Sequence, residues 1–184
     1  QDLMDVPISV ATMDGETLQE KGLVNLEAVS ASIPTLHIGE AQIGSQIFLR
    51  GIGSGVNAGF EQSVGTYVDG IYFGRGRQSR GTLFDVQRIE VLKGPQGTLF
   101  GKNTIAGALN ITTAGPTEEF EGSASALYEF ENEETILSGI VSGPLSDNIS
   151  ARLAVQWSDI NAGWIQNDFR GGAKEPSGET ALAR

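Results

Sequence analysis

Residues 84–113 read FDVQRIEVLKGPQGTLFGKNTIAGALNITT, and the fold is decided there. Arg88, Ile89, Glu90 and Val91 alternate charged and apolar side chains, the period of a half-buried strand. Gly94-Pro95 then forces a turn, because proline fixes φ and glycine reaches positive φ. Gly97, Gly101 and Gly107 keep the following residues compact until Ala108-Leu109-Asn110-Ile111-Thr112 resumes the alternation. The stretch predicts strand, glycine-punctuated turn, strand, with its backbone pressed closely against another part of the protein.

Upstream, residues 6–12 read as a short opening strand, with Pro7 near its start where a missing N–H is tolerated. Asp14 is placed to cap a first helix, with Glu16 in its first turn and Gly22 as its stop. A second helix starts after Asn25: Leu26, Val29 and Ile33 form one apolar stripe, and Pro34 ends it. Leu36 and Ile38 alternate around His37, and residues 46–51, QIFLRG, predict another strand. Residues 52–62 are glycine-rich and polar, a loop. Asp69-Gly70 separates two β-prone runs and favours a type I′ hairpin turn. A second glycine-rich loop, FGRGRQSRG at residues 73–81, carries Arg75, Arg77 and Arg80.

Downstream of a linker at residues 116–119 come three alternating segments, at 123–130, 136–142 and 149–157. The last is the cleanest: Ile149, Ala151, Leu153, Val155 and Trp157 share one face, and Ser150, Arg152, Ala154 and Gln156 the other. In the first, Ala124, Ala126, Tyr128 and Phe130 share a face. Residues 143–148 read as a turn, 159–178 as a polar loop, and Glu179 as the start of a fourth strand. An apolar face ending in an aromatic suits a lipid-facing barrel strand. An ordinary antiparallel sheet with one wet face has the same pattern, so periodicity alone leaves both open.

Composition narrows the function classes. The chain has 184 residues, 39% apolar, with 25 glycines, about twice the usual share. A formal net charge of −11 argues against a nucleic-acid partner. There is no cysteine and only one histidine, His37, so neither thiolate metal sites nor a histidine-based triad can be assembled from these residues. No apolar run is long enough for a transmembrane helix, which leaves barrel strands open. No signal peptide precedes Gln1-Asp2, so an export signal is expected to be removed or to lie outside this sequence. Residues 97–103, GTLFGKN, have three residues between the glycines and Asn103 after the lysine, and so miss the phosphate-binding loop pattern. Residues 53–58 formally fit a dinucleotide glycine pattern but no amphipathic helix follows. Nothing reads as an enzyme, and no cofactor is expected.

RIEVLKGPQGTLFGKN, at residues 88–103, resembles the signature of the plug domain of TonB-dependent outer-membrane receptors. The opening DVPISV with its two short helices resembles the start of the same domain, and Arg50-Gly51 resembles a recurrent plug motif. The resemblance implies an α+β plug domain, a small mixed sheet with short helices, over residues 1–115. Residues 116–184 would begin the transmembrane barrel, contributing about three antiparallel strands of the 22 known for plugged outer-membrane transporters. It further implies a receptor importing a scarce nutrient, most often an iron–siderophore complex, with the plug gating the barrel. Its partners would be the TonB–ExbB–ExbD energy-transducing complex, its own barrel, outer-membrane lipid and an extracellular ligand. Cobalamin, haem or glycan import and a signal-transducing receptor of the same architecture remain alternatives. A soluble β-rich binding protein is a third.

Candidate site residues follow in two groups. Apical plug loops of the family touch substrate, which points to Arg75, Arg77 and Arg80 in one loop and Asn57, Phe60 and Glu61 in the other. Guanidinium forks suit carboxylate and phosphate oxygens. Plug cations of the family pair with the barrel wall, which points to Arg50 and Lys93, and secondarily to Arg88 and Glu90. For each, an ordinary solvated charge is the alternative reading. No catalytic or metal-ligating residue is expected.

Overall fold

The structure, a computed structural model, describes residues 9–41, 44–55, 61–76, 83–130, 133–161, 165–166, 174–175 and 177–184. The chain divides into two compact units, Gln1–Ala114 and Gly115–Arg184.

In the first unit, β1 (Ser9–Asp14) runs directly into α1 (Gly15–Glu20). Asp14 caps that helix: its carboxylate accepts the Thr17 amide at 2.8 Å, the N-cap geometry that satisfies an orphan donor. Gly22 follows in the left-handed region at φ 63°. Asn25 caps α2 (Leu26–Ala31) in the same way, accepting the Ala28 amide at 2.8 Å. This helix ends at Ala31, three residues before Pro34, and Ile33 joins the core from a turn.

Next come β2 (Leu36–Ala41), β3 (Gly44–Leu49) and β4 (Ile52–Gly53), which pair in order as a small antiparallel sheet. Two expectations change here. The strand expected through Gly51 stops at Leu49, and Arg50 and Gly51, at φ 53° and 79°, form a two-residue turn. Positive φ at both positions matches the twist of the flanking strands. Ile52 and Gly53, expected in a loop, are the returning strand.

The main sheet follows. β5 (Val64–Val68) and β6 (Ile71–Phe73) form the expected hairpin, with Asp69 and Gly70 at φ 49° and 79°. The Asp69 carboxylate also accepts from the Thr113 amide at 2.9 Å and the Thr113 hydroxyl at 2.7 Å. β7 (Val86–Lys93) and β8 (Gly107–Thr113) are the strands of the deciding stretch. Between them the expected turn contains a short helix, α3 (Gly97–Phe100). The order is β1-β7-β8-β5-β6, antiparallel throughout except for the parallel pair β5–β8. Ile89 and Val91 are fully buried while Arg88 is exposed, as the alternation requires. Leu18, Leu26, Val29, Leu36, Ile47, Leu49, Val64, Ile89 and Leu109 belong to one core shared by both sheets and the helices.

The second unit is an antiparallel meander. β9 (Glu121–Glu129), β10 (Glu134–Ser146), β11 (Ile149–Ile160) and β14 (Gly178–Ala183) lie in the order β14-β11-β10-β9. Within the connection after β11, β12 (Ile165–Gln166) and β13 (Lys174–Glu175) pair with each other. So the segment expected as a plain loop carries a small hairpin. The turn expected over residues 143–148 shrinks to Asp147-Asn148, because β10 continues through Pro144 with a register shift before Ser146. Proline is tolerated there because β9 pairs only as far as Ser142, which leaves that edge of β10 open.

Exposure in this unit is inverted relative to a water-soluble sheet. On the face shared by Leu137, Val141, Ile149, Leu153 and Val155, apolar side chains are 45–60% exposed. On the opposite face Ala154 is fully buried and Ser142 nearly so. The buried face carries polar contacts: the Ser142 hydroxyl takes the Thr117 amide at 2.9 Å, and Gln156 donates to Ser138 at 3.4 Å. Tyr128 and Phe130 meet edge to face at 5.0 Å, and Trp157 donates its indole N–H to Glu179 at 2.5 Å. An exposed apolar face with aromatics near the strand ends is the pattern of a lipid-facing barrel wall. No helix among the described residues is long and apolar enough to cross a membrane, which says nothing of strands.

Candidate functional site

Register fixes which residues meet at one end of the main sheet. Ser9 lies opposite Lys93, Lys93 opposite Gly107, and Gly107 opposite Val64. The connection between β7 and β8 therefore emerges beside the residues that lead into β5 and those that follow β6. Backbone bonds join these segments: Ala106 N–H to Ser63 O at 3.1 Å, Gln62 N–H to Gly74 O at 3.0 Å, and Ser45 N–H to Gly76 O at 3.1 Å. Gly76 is required by this approach, since a Cβ there would lie 2.4 Å from the Ser45 carbonyl oxygen.

Beneath this end lies an aromatic floor. The Tyr67 ring sits 4.8 Å from Phe100 and 5.3 Å from Tyr72, and the Tyr67 hydroxyl donates to the Phe100 carbonyl at 2.6 Å. Burial pushes the phenol pKa of both Tyr67 and Tyr72 up. Above it, the Glu61 carboxylate accepts from the Lys102 ammonium at 3.2 Å and from the Asn103 amide. These bonds, with the charges of Lys102 and Arg75, hold the Glu61 pKa below the usual carboxylate value. On the same connection Leu99 and Ile105 are 73% and 66% exposed. The surface thus combines cationic and amide donors with apolar side chains, a composition able to hold an anionic ligand that also carries apolar groups.

Of the substrate-contact candidates, Glu61 and Arg75 are brought together here, and Arg75 is exposed. Asn57, Phe60, Arg77 and Arg80 lie outside the described residues. Lys102, Asn103, Phe100, Tyr67 and Tyr72 were not singled out from the sequence as candidates. Tyr67 and Tyr72 come from the β5–β6 hairpin that follows Glu61, whereas Phe100, Lys102 and Asn103 are brought to Glu61 by the parallel pairing of β5 with β8, which no local pattern encodes.

The charged candidates of the second group do not converge. Arg88 pairs with Glu90 at 3.0 Å, and Glu90 also takes the Asn110 amide at 2.7 Å, so both are engaged within the sheet. Lys93 is half-buried at the end of β7, with no acidic partner among the described residues. Arg50 sits on a turn rather than a strand, its amide bonded to Thr35 O at 2.8 Å. It borders an open groove lined by Pro34, Leu36, His37 and Phe48. Among the described residues no cluster of three or more His, Asp or Glu is placed to hold a metal ion.

A mixed-sheet α+β unit followed by strands with an exposed apolar face fits a plug and the first part of a barrel wall. The TonB-dependent receptor plug domain model matches residues 2–108, and the chain belongs to that family. It is 28% identical over 184 residues to the pesticin receptor of Yersinia enterocolitica, covering 95% of this chain and 27% of that protein. It is 27% identical over 128 residues to the catecholate siderophore receptor Fiu of Escherichia coli K12, covering 66% of this chain and 16% of that one. The ferric yersiniabactin uptake receptor FyuA of Yersinia pestis shares the fold at a TM-score of 0.75 and 24% identity, over 96% of this chain and 28% of that chain. The chain thus spans about a quarter of the length of the pesticin receptor and of FyuA. The iron-regulated outer membrane virulence protein of Vibrio cholerae is 25% identical over 190 residues, 92% of this chain and 28% of that protein.

Proposed function

We propose that the whole protein imports a ferric siderophore across the outer membrane, with this chain supplying the plug and the first barrel strands. The observation that carries the reading is a plug matched over residues 2–108, followed by strands with an exposed apolar face. The relative named as a catecholate siderophore receptor and the fold neighbour named as a ferric yersiniabactin uptake receptor support the substrate class. Energy would come through the TonB–ExbB–ExbD complex, which pulls on the plug to open a path. The role is that of a receptor and carrier, with no chemical step assigned to any residue. Residues 1–115 would act as the plug and residues 116–184 as the start of the barrel.

Substrate would meet the end of the plug that bears Glu61 and Arg75, joined by Arg77, Arg80, Asn57 and Phe60 from the same two loops. Exchanging Arg75, Arg77 and Arg80 together for alanine is expected to weaken binding of an anionic ferric chelate. Each direct hydrogen bond to a charged group contributes about 1.5–3 kcal/mol. Lysine at the three positions should recover only part of the loss, because it keeps the charge but not the guanidinium fork. Calorimetry on the full-length receptor with ferric tricatecholate reads this directly. Equal affinities for wild type and the triple-alanine variant would remove the loop from the site.

A further inference from the structure

Three ties hold the β7–β8 connection to β5 and the residues leading into it among the described residues, and they differ in accessibility. The Ala106 amide to Ser63 O and the Tyr67 hydroxyl to Phe100 O are shielded. The third, from Lys102 and Asn103 to Glu61, faces solvent: the Lys102 side chain is 78% exposed and that of Glu61 42%. We propose that this third tie is a clasp opened by ligand: Glu61 occupies Lys102 and Asn103 in the empty receptor. An oxyanion of an incoming ligand takes those two donors and frees the 94–106 connection. The ligand half of this proposal rests on the import reading; the clasp itself does not.

Three features favour exchange over a fixed structural contact. An exposed ion pair is weak and screened by salt, so a multiply charged anion competes with it readily. Lys102 and Asn103 offer an ammonium and an amide, donors that any oxyanion can use in place of a carboxylate. Asn103 is held in the left-handed region at φ 69° with its amide committed to Glu61. Beside it lies the Tyr72 phenol, which burial pushes up in pKa and which the Asn103 side chain pulls back down. Glu61 is 42% exposed and is hydrated when displaced, so both arrangements are satisfiable, as a two-state element requires.

The test is hydrogen exchange of the full-length receptor in detergent, read by mass spectrometry over residues 96–106. The amides of Gln96, Leu99, Phe100, Gly101 and Ala106 are all hydrogen-bonded there. Without ligand, Glu61→Ala and, independently, Lys102→Met should speed exchange in this segment about fivefold, the scale of a weak exposed pair. Strand β8 should stay protected in both. Saturating ferric tricatecholate should raise the wild-type rate in the same segment and leave that of Glu61→Ala little changed. Unchanged ligand-free exchange in both variants overturns the clasp. Bound chelate that leaves wild-type exchange unaltered overturns displacement. A receptor that binds no ferric siderophore contradicts the import reading instead, while the ligand-free comparison still decides the clasp.

Discussion

Replacing Gly107 with valine is expected to prevent the plug unit from folding. A Cβ at this position would lie 2.3 Å from the Leu92 carbonyl oxygen and 2.4 Å from Leu49 Cδ2, with φ at 151°. Neither neighbour can move cheaply. Leu92 belongs to the ladder that pairs β7 with β8, and Leu49 is fully buried in the core. Backbone strain and overpacking together place the loss above about 4 kcal/mol, a large part of the ~5–15 kcal/mol that holds an ordinary domain. Residues 1–115 are the material for the measurement and are expected to fold alone. Every residue of the core cluster lies between Met13 and Ile111. Gly97→Ala is the control, since nothing lies within 4 Å of a Cβ there. Urea unfolding followed by circular dichroism should show a cooperative transition for wild type and Gly97→Ala, and none for Gly107→Val. Similar midpoints for all three would mean that the close approach at Gly107 is not a requirement of the fold.

Charge reversal at Arg50 and Lys93 is expected to loosen the plug in the full-length receptor. Lys93 is half-buried without an acidic partner among the described residues, and the Arg50 side chain extends from a turn beside an apolar groove. Lys93 is partly desolvated and Arg50 is exposed; covered by a barrel wall, both would need carboxylates, and we propose that the wall beyond this chain supplies them. Breaking a shielded pair costs about 3 kcal/mol, which shifts a closed-to-open equilibrium by about a hundredfold. Arg50→Glu and Lys93→Glu should each raise the ion conductance of the receptor in planar bilayers and the passage of a bulky antibiotic into cells. Arg88→Glu should do neither, because Arg88 already has Glu90 at 3.0 Å. Conductance unchanged in both reversals would make Arg50 and Lys93 ordinary solvated charges.

Features set by near neighbours in sequence were legible before the structure. Asp14 and Asn25 cap helices because their short side chains reach an amide three residues on. Asp69-Gly70 makes a type I′ turn because both residues tolerate positive φ. Ile89 and Val91 point inward because a strand alternates. What escaped depends on partners distant in the chain. Arg50-Gly51 looks like a strand end until the return of Ile52 along Leu49 makes it a turn. The helix Gly97–Phe100 has four residues and no side-chain cap, too little for any periodic signal. Gly143-Pro144 reads as a turn, yet β10 passes through it because β9 has already ended. The candidate site was half legible for the same reason. Glu61 and Arg75 follow from the resemblance to apical plug loops, whereas Lys102 and Asn103 join them only through the β5–β8 pairing.

The most direct test of the central claim is uptake of radioactive iron by cells that produce the full-length receptor, offered a panel of ferric siderophores including catecholates. The account predicts saturable accumulation from at least one of them that requires the receptor and collapses when a protonophore removes the proton-motive force. Accumulation equal to that of receptor-free cells for the whole panel, or undiminished by the protonophore, would contradict it.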